Sequence, residues 1–273
     1  MIFVLFFSKG KTMLPVVRSG LSAASQEIAV ISNNIANASS LGFKRSNANF
    51  SDIYTEMSDV RNANRIGNGV RQEAPRRNHS QGSLILTGNA LDLGINGQGM
   101  FILDTRERFG ELSYTRNGAM NVREDGKLVN SDGIAYLDIN AEEINLPFQV
   151  LTADGDQQSL SEVKVTAEGF LRATYGIDNY VTIAQVGLAR FADETQLKSR
   201  GDNIFTATPE SGEATIGAGK DFGFGKINAG SLEASNTDIT AELTLLLRAQ
   251  QAFNGSAKMM QADADVTRRL MDT

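Results

Sequence analysis

Val17, Leu21, Ala24, Ile28, Ile31, Ile35 and Ala38 fall at alternating four- and three-residue spacings, the period at which a helix buries one narrow apolar seam. Near the other end Ile239, Leu243, Leu246, Gln250, Phe253, Ala257, Met260, Ala264, Thr267 and Met271 repeat that spacing, with only Gln250 and Thr267 polar. The pattern predicts two terminal helices. The first runs from about Leu14 to Ser39 with Pro15 in its opening turn, and Ser40, Leu41 and Gly42 stop it. The second starts near Asp238, where Asn236, Thr237 and Asp238 offer capping side chains. A helix with one apolar stripe is marginal alone in water, so each needs a partner surface, either the other helix or another copy of the chain. Within the first helix Ser32, Asn33, Asn34 and Asn37 are poor helix formers; they mark a fraying end or side-chain amides bonding across a packed helix interface.

Between the helices the period changes. From Ser83 to about Thr208 short apolar runs alternate with the turn pairs Asn96-Gly97, Asn117-Gly118, Asp125-Gly126, Asp132-Gly133, Asp154-Gly155 and Glu168-Gly169. Such pairs supply the positive φ angles of tight hairpins. Leu91–Ile95, Met100–Leu103 and Val163–Val165 are strand candidates. The predicted fold class is therefore α+β: coiled-coil-like terminal helices packing together and flanking a central antiparallel β domain. Its expected divisions are a non-native or disordered extension over 1–12, an N-terminal helix over 13–42, and an extended linker over 43–82. A β-rich domain over 83–229 and a C-terminal helical segment over 230–273 complete them. The apolar run Ile2 to Phe7 is too short to span a membrane and lacks a preceding basic residue, so neither membrane insertion nor a cleaved signal is expected, and Met13 is the expected start of translation.

Composition narrows the chemistry. The chain has 273 residues and a net charge of -6, a poor match to the basic footprint of a nucleic-acid binder. Arg61, Arg65, Arg71, Arg76 and Arg77 form a local basic run, but without interleaved aromatics it reads as a solvated loop or docking surface. Without cysteine there is neither a disulfide nor a thiolate metal site. The one histidine, His79, sits in the polar stretch Arg77-Asn78-His79-Ser80 and reads as an exposed loop residue. The carboxylate pairs Glu142 with Glu143 and Asp154 with Asp156 carry no sign of belonging to one cleft, so no catalytic, metal or cofactor site is expected. The glycine-rich stretch Gly217 to Gly225 fails the phosphate-loop pattern at Ala214 and Asp221 and reads as a flexible connector.

Three stretches carry a resemblance. Ser19-Gly20-Leu21 to Asn33-Asn34-Ile35-Ala36-Asn37, followed by Leu41-Gly42-Phe43-Lys44, resembles the amino-terminal signature of bacterial flagellar rod and hook proteins. Thr87 to Phe101 with Tyr114-Thr115-Arg116-Asn117-Gly118 resembles their central β motif, and Gly230 to Asp238 with Arg248 to Phe253 their carboxy-terminal signature. The resemblance implies a non-enzymatic subunit of the flagellar axial structure, a hollow tube that transmits torque and passes exported subunits. It also implies export through the flagellar type III apparatus, without a cleaved signal, to the periplasm or, for a hook, the cell exterior. The implied partners are copies of itself and neighbouring rod and hook proteins. The implied assembly residues are Val17, Leu21, Ala24, Ile28, Ile31, Asn33, Asn34, Ile35 and Asn37 on one helix, with Ile239, Leu243, Leu246, Gln250, Phe253, Ala257 and Met260 on the other. Gly42, Phe43 and Lys44 form the family-motif turn. The length leaves little room beyond one β domain and favours rod over a short hook subunit. An adhesin or soluble binding module with a helical stalk is the reading from another class.

Overall fold

A computed structural model describes residues 14–54, 67–151, 157–176 and 179–272. The expected extension over 1–12, Met13, Arg61, Arg65 and the Asp154-Gly155 turn lie outside the described residues. The chain divides into two compact units.

The first unit holds the two long helices, Leu14–Ala36 and Ile239–Met271, with the strands Ser46–Tyr54 and Gly67–Arg77. The helices run antiparallel: Asn34 Nδ2 donates to Glu242 Oε2 at 3.2 Å, while a Cβ placed on Gly20 would lie 3.6 Å from Ser256 Oγ. Small residues mark the close approach, with Gly20 and Ala24 on one helix and Ala249 and Ser256 on the other. Val17, Ala24 and Ile31 are buried, and each larger side chain covered in this way contributes roughly 1.5–3 kcal/mol. Asp238 caps the second helix, its carboxylate accepting from Thr240 N at 2.8 Å and Ala241 N at 3.3 Å. The first helix ends at Ala36, not Ser39, because the chain turns through Asn37–Gly42. Over 43–82, expected as an extended linker, the two strands form a sheet of their own. The second strand lies along the first helix, where Ser19 and Ser22 accept from Val70 N and Gln72 Nε2 at 3.2 and 2.7 Å, and Gln26 Nε2 donates to Glu73 O at 3.0 Å.

The second unit is β-rich. Its six-stranded sheet runs in the order Lys198–Gly201, Ile204–Thr206, Ser113–Thr115, Met100–Leu103, Leu188–Arg190, Thr215–Gly217, with every paired neighbour antiparallel. Met100–Leu103 is the strand expected from the sequence, and it is apolar throughout because both faces are covered. Phe101 and Leu103 enter one core with Leu93, Ile95, Leu128 and Tyr136; Met100 and Ile102 enter another with Tyr114, Leu137 and Phe205. A four-stranded sheet orders Asn179–Gln185, Phe170–Tyr175, Gln157–Val165 and Gln149–Leu151. Early and late segments meet twice, Leu84–Leu86 pairing with Ser231–Glu233 and Leu93–Asn96 with Lys226–Ala229. Gly217–Gly225 is a turn packed into this body, contrary to the connector expected: Phe224 N donates to Asp221 O at 2.8 Å and Gly225 N to Gln98 O at 2.7 Å.

Candidate assembly faces and a buried ion cluster

The helical seams expected from the sequence divide into covered and uncovered parts. On the first helix Val17, Ala24, Ile31 and Asn34 are buried, Leu21, Ile28 and Ile35 half-buried, and Asn33 exposed; Asn37 follows the helix and is half-buried. Asn34 meets both polar demands of the interior: its amide donates to Ser46 O at 2.8 Å and to Glu242, while its Oδ1 accepts from Ser46 N at 2.9 Å. On the second helix Leu246, Phe253, Ala257 and Met260 are half-buried, but Ile239 and Leu243 are 49% and 47% exposed and Gln250 is exposed. The middle of the covered face is instead Glu242 and Ala249, each 1% exposed. On the second helix the inward face is thus rotated from the expected seam. Helices that approach closely select small residues at the contact, and the larger apolar side chains Ile239, Leu243 and Leu247 are left outside.

The family-motif turn sits in the β-rich unit. Gly42 has φ of 65°, and a Cβ there would lie 2.7 Å from Asn117 N, so a side chain is refused twice over. Gly42 N donates to Glu233 O at 2.8 Å, and Asn236 Oδ1 accepts from Arg45 N at 2.8 Å, tying this turn to the segment that precedes the last helix. Phe43 is buried, with the Arg77 guanidinium 5.5 Å from its ring centre and 5.3 Å from that of Phe205. Arg77 is therefore no solvated member of a basic run; burial lowers its pKa from the ordinary arginine value.

Lys44 is buried and donates from Nζ to Glu233 Oε1 at 2.6 Å and to Ser80 O at 2.8 Å. Glu233 also accepts from Gly82 N at 2.8 Å and from Arg116 Nη1 at 3.3 Å, and Arg116 Nη2 donates to Gly97 O at 2.9 Å. One buried carboxylate therefore serves two buried cations. Burial pulls the Lys44 ammonium below the usual lysine range against the opposing pull of Glu233. The sequence reading names Lys44 only as part of a motif and misses Arg116 and Glu233 as its partners. Yet the three residues come from the three stretches that carry the family resemblance.

His79 is not the exposed loop residue expected. Its side chain is 5% exposed and packs edge-on against Phe205, ring centres 5.3 Å apart. Burial first, then the nearby Lys44, Arg116 and Arg77 charges, push its pKa down to about 3, so it is neutral near pH 7. Glu194 Oε2 lies 4.0 Å from Nδ1, and burial pushes that carboxyl upward.

Comparison with known proteins agrees with the geometry. Residues 14–44 match the family described as "Flagella basal body rod protein", 94–173 the "Flagellar hook protein FlgE/F/G D1 domain" and 228–273 the "Flagellar basal body rod FlgEFG protein C-terminal". The chain is 35% identical over 260 residues to the flagellar basal-body rod protein FlgG of Agrobacterium fabrum, covering 90% of this chain and 93% of that protein. It is 31% identical over 255 residues to FlgG of Caulobacter vibrioides, covering 89% and 91%, and 27% identical over 252 residues to FlgF of the same bacterium, covering 90% and 91%. The chain belongs to the flagellar basal-body rod protein family, as a FlgG-like structural and non-enzymatic subunit.

Proposed function

We propose that this chain polymerises with copies of itself and with neighbouring rod components into the hollow shaft of the basal body, through the residues of its two helical seams. Family membership implies assembly with flagellar rod components. The finer reading is that the segments 13–42 and 230–273 belong to the assembly domain and that 83–229 is the β-rich domain. The chain passes through the flagellar type III apparatus before it folds, and the finished tube transmits torque and passes later subunits.

The observation that carries this reading is the row Ile239, Leu243 and Leu247 on the last helix, 49%, 47% and 60% exposed, beside a helix face that is already covered. Apolar rows of this kind invite a partner helix. A contact between unlike patches that does not close on itself builds a filament from a single kind of subunit. Leu243→Glu tests it. The variant is expected to keep its folded stability within about 0.5 kcal/mol, because the position is exposed, while rods fail to assemble and swimming stops. Normal swimming with this variant would overturn the reading.

A further inference from the structure

Residues 231–236 of the β-rich unit are fastened by hydrogen bonds to two other stretches of the same unit. On one side Leu232 and Glu233 pair with Ile85 and Leu84, and Ala234 N donates to Ser83 O at 2.8 Å. On the other Glu233 O accepts from Gly42 N at 2.8 Å, and Asn236 N donates to Phe43 O at 3.3 Å. The amide of Asn236 holds both sides at once: its Nδ2 donates to Asn78 O at 2.8 Å and Ser80 O at 3.0 Å, while its Oδ1 accepts from Arg45 N at 2.8 Å. The Glu233 carboxylate does the same with Lys44 Nζ and Gly82 N.

Apolar packing adds little to this fastening. Leu232 is the one large apolar side chain of the stretch, and although buried it belongs to none of the three apolar clusters found among the described residues. Ser231–Glu233 pairs with Leu84–Leu86 alone, as a two-stranded sheet apart from the six- and four-stranded ones. Ile85 and Leu86 on that partner strand are already exposed, so parting the pair uncovers little more apolar surface. Lifting the stretch away therefore breaks hydrogen bonds, which water replaces in part, and leaves the apolar clusters closed. Elements held in this manner open at a lower free energy than the domain unfolds. Gly230, with φ of 71°, supplies a turn directly before the stretch, and its carbonyl accepts from Thr87 N at 2.8 Å, so the pivot itself is anchored.

We infer that residues 231–236 are a strap that opens and closes as one piece while the apolar clusters stay shut, with Glu233 and Asn236 as its fastenings. Closing it binds 42–45 to 78–86, and opening it frees both. Asn236 stands two residues before Asp238, the cap of the last helix, so the strap also decides whether that helix starts from a fixed point.

The chain has no cysteine, so a single introduced thiol reports on its own position. Ser231→Cys places one in the strap and Ala189→Cys one in an apolar cluster, both at buried sites. In the purified full chain the thiol at 231 is expected to react with an aromatic disulfide reagent roughly a hundredfold faster than the thiol at 189. Adding Asn236→Ala is expected to quicken the reaction at 231 about tenfold. Adding Ile102→Val, which loosens the cluster that holds Ala189, is expected to quicken the reaction at 189 about fivefold and to leave that at 231 within about twofold. Amide exchange in the unmodified chain makes the same comparison: Ala234 N is expected to exchange roughly a hundredfold faster than Leu137 N, which donates to Ile102 O at 3.0 Å. Equal rates for the two thiols or the two amides, no effect of Asn236→Ala at 231, or an Ile102→Val change that quickens both thiols alike would each overturn the inference. The last is the result for a stretch that parts only when the whole unit unfolds.

Discussion

Lys44 Nζ lies 2.6 Å from Glu233 Oε1 across 189 positions of sequence, and neither side chain reaches solvent. Because Arg116 shares the same carboxylate, the three residues are unequal. Glu233→Gln leaves two buried cations without their counter-charge and is expected to cost about 3–5 kcal/mol of unfolding free energy. Lys44→Met leaves Glu233 with Arg116 and Gly82 N and is expected to cost less, about 1–3 kcal/mol. Urea unfolding of both variants ranks them; equal losses would contradict a shared anion.

Acid should weaken the β-rich unit through His79. Its folded pKa of about 3 lies below the ordinary 6.5, so between those values the unfolded chain holds more protons and stability falls as pH falls. Lys44, Arg116 and Arg77 oppose the imidazolium, and Asp193 favours it. From pH 7.5 to 5.0 the expected loss is roughly 2 kcal/mol. Glu194, whose carboxyl burial pushes upward, works in the opposite sense on acidification, so the comparison with His79→Leu isolates the histidine. That variant should lose this part of the acid sensitivity, and melting curves at the two pH values measure it. Identical acid losses in both proteins would exclude the histidine as the cause.

Gly42→Ala meets a left-handed φ of 65° and a main-chain nitrogen 2.7 Å from the new methyl group. Both effects act on the backbone, which cannot rotate away as a side chain does, so a loss of about 2–4 kcal/mol is expected. Thermal melting of the purified variant checks it, and a midpoint equal to wild type would mean that the turn can take another shape.

Asn34→Ala removes an amide that holds both main-chain groups of Ser46 and reaches Glu242. The expected cost is about 1–3 kcal/mol. Its specific sign is faster hydrogen exchange at the Ser46 amide, and unchanged exchange there would show that Asn34 is dispensable to this strand.

The long helices are legible because their apolar spacing persists over many turns, and Asp238 announces the second one as a capping residue. Which face turns inward is not legible from apolarity. Gly20, Ala249 and Ser256 bring little or no apolar bulk, yet they mark the close approach. Met100–Leu103 is readable as a short apolar run, since a strand covered on both sides carries no alternation. The buried ion cluster is invisible to any local window because Lys44, Arg116 and Glu233 meet only through long-range pairing. His79 misleads for the same reason: Asn78 and Ser80 make its neighbourhood look wet, whereas its ring rests on Phe205 from a distant strand. The rod reading rests on length and the motif resemblance, and the likeness to FlgG over most of the chain agrees with it.

The pairing of Leu84–Leu86 with Ser231–Glu233, and of Leu93–Asn96 with Lys226–Ala229, gives the β-rich unit a clasp made from its own beginning and end. That clasp closes only once nearly the whole length of the chain is free to fold. Until then its early strands stay unzipped, and their completion is slow in the way that all distant pairings are slow. Such delay leaves the body of the unit pliable until its last strands are in place.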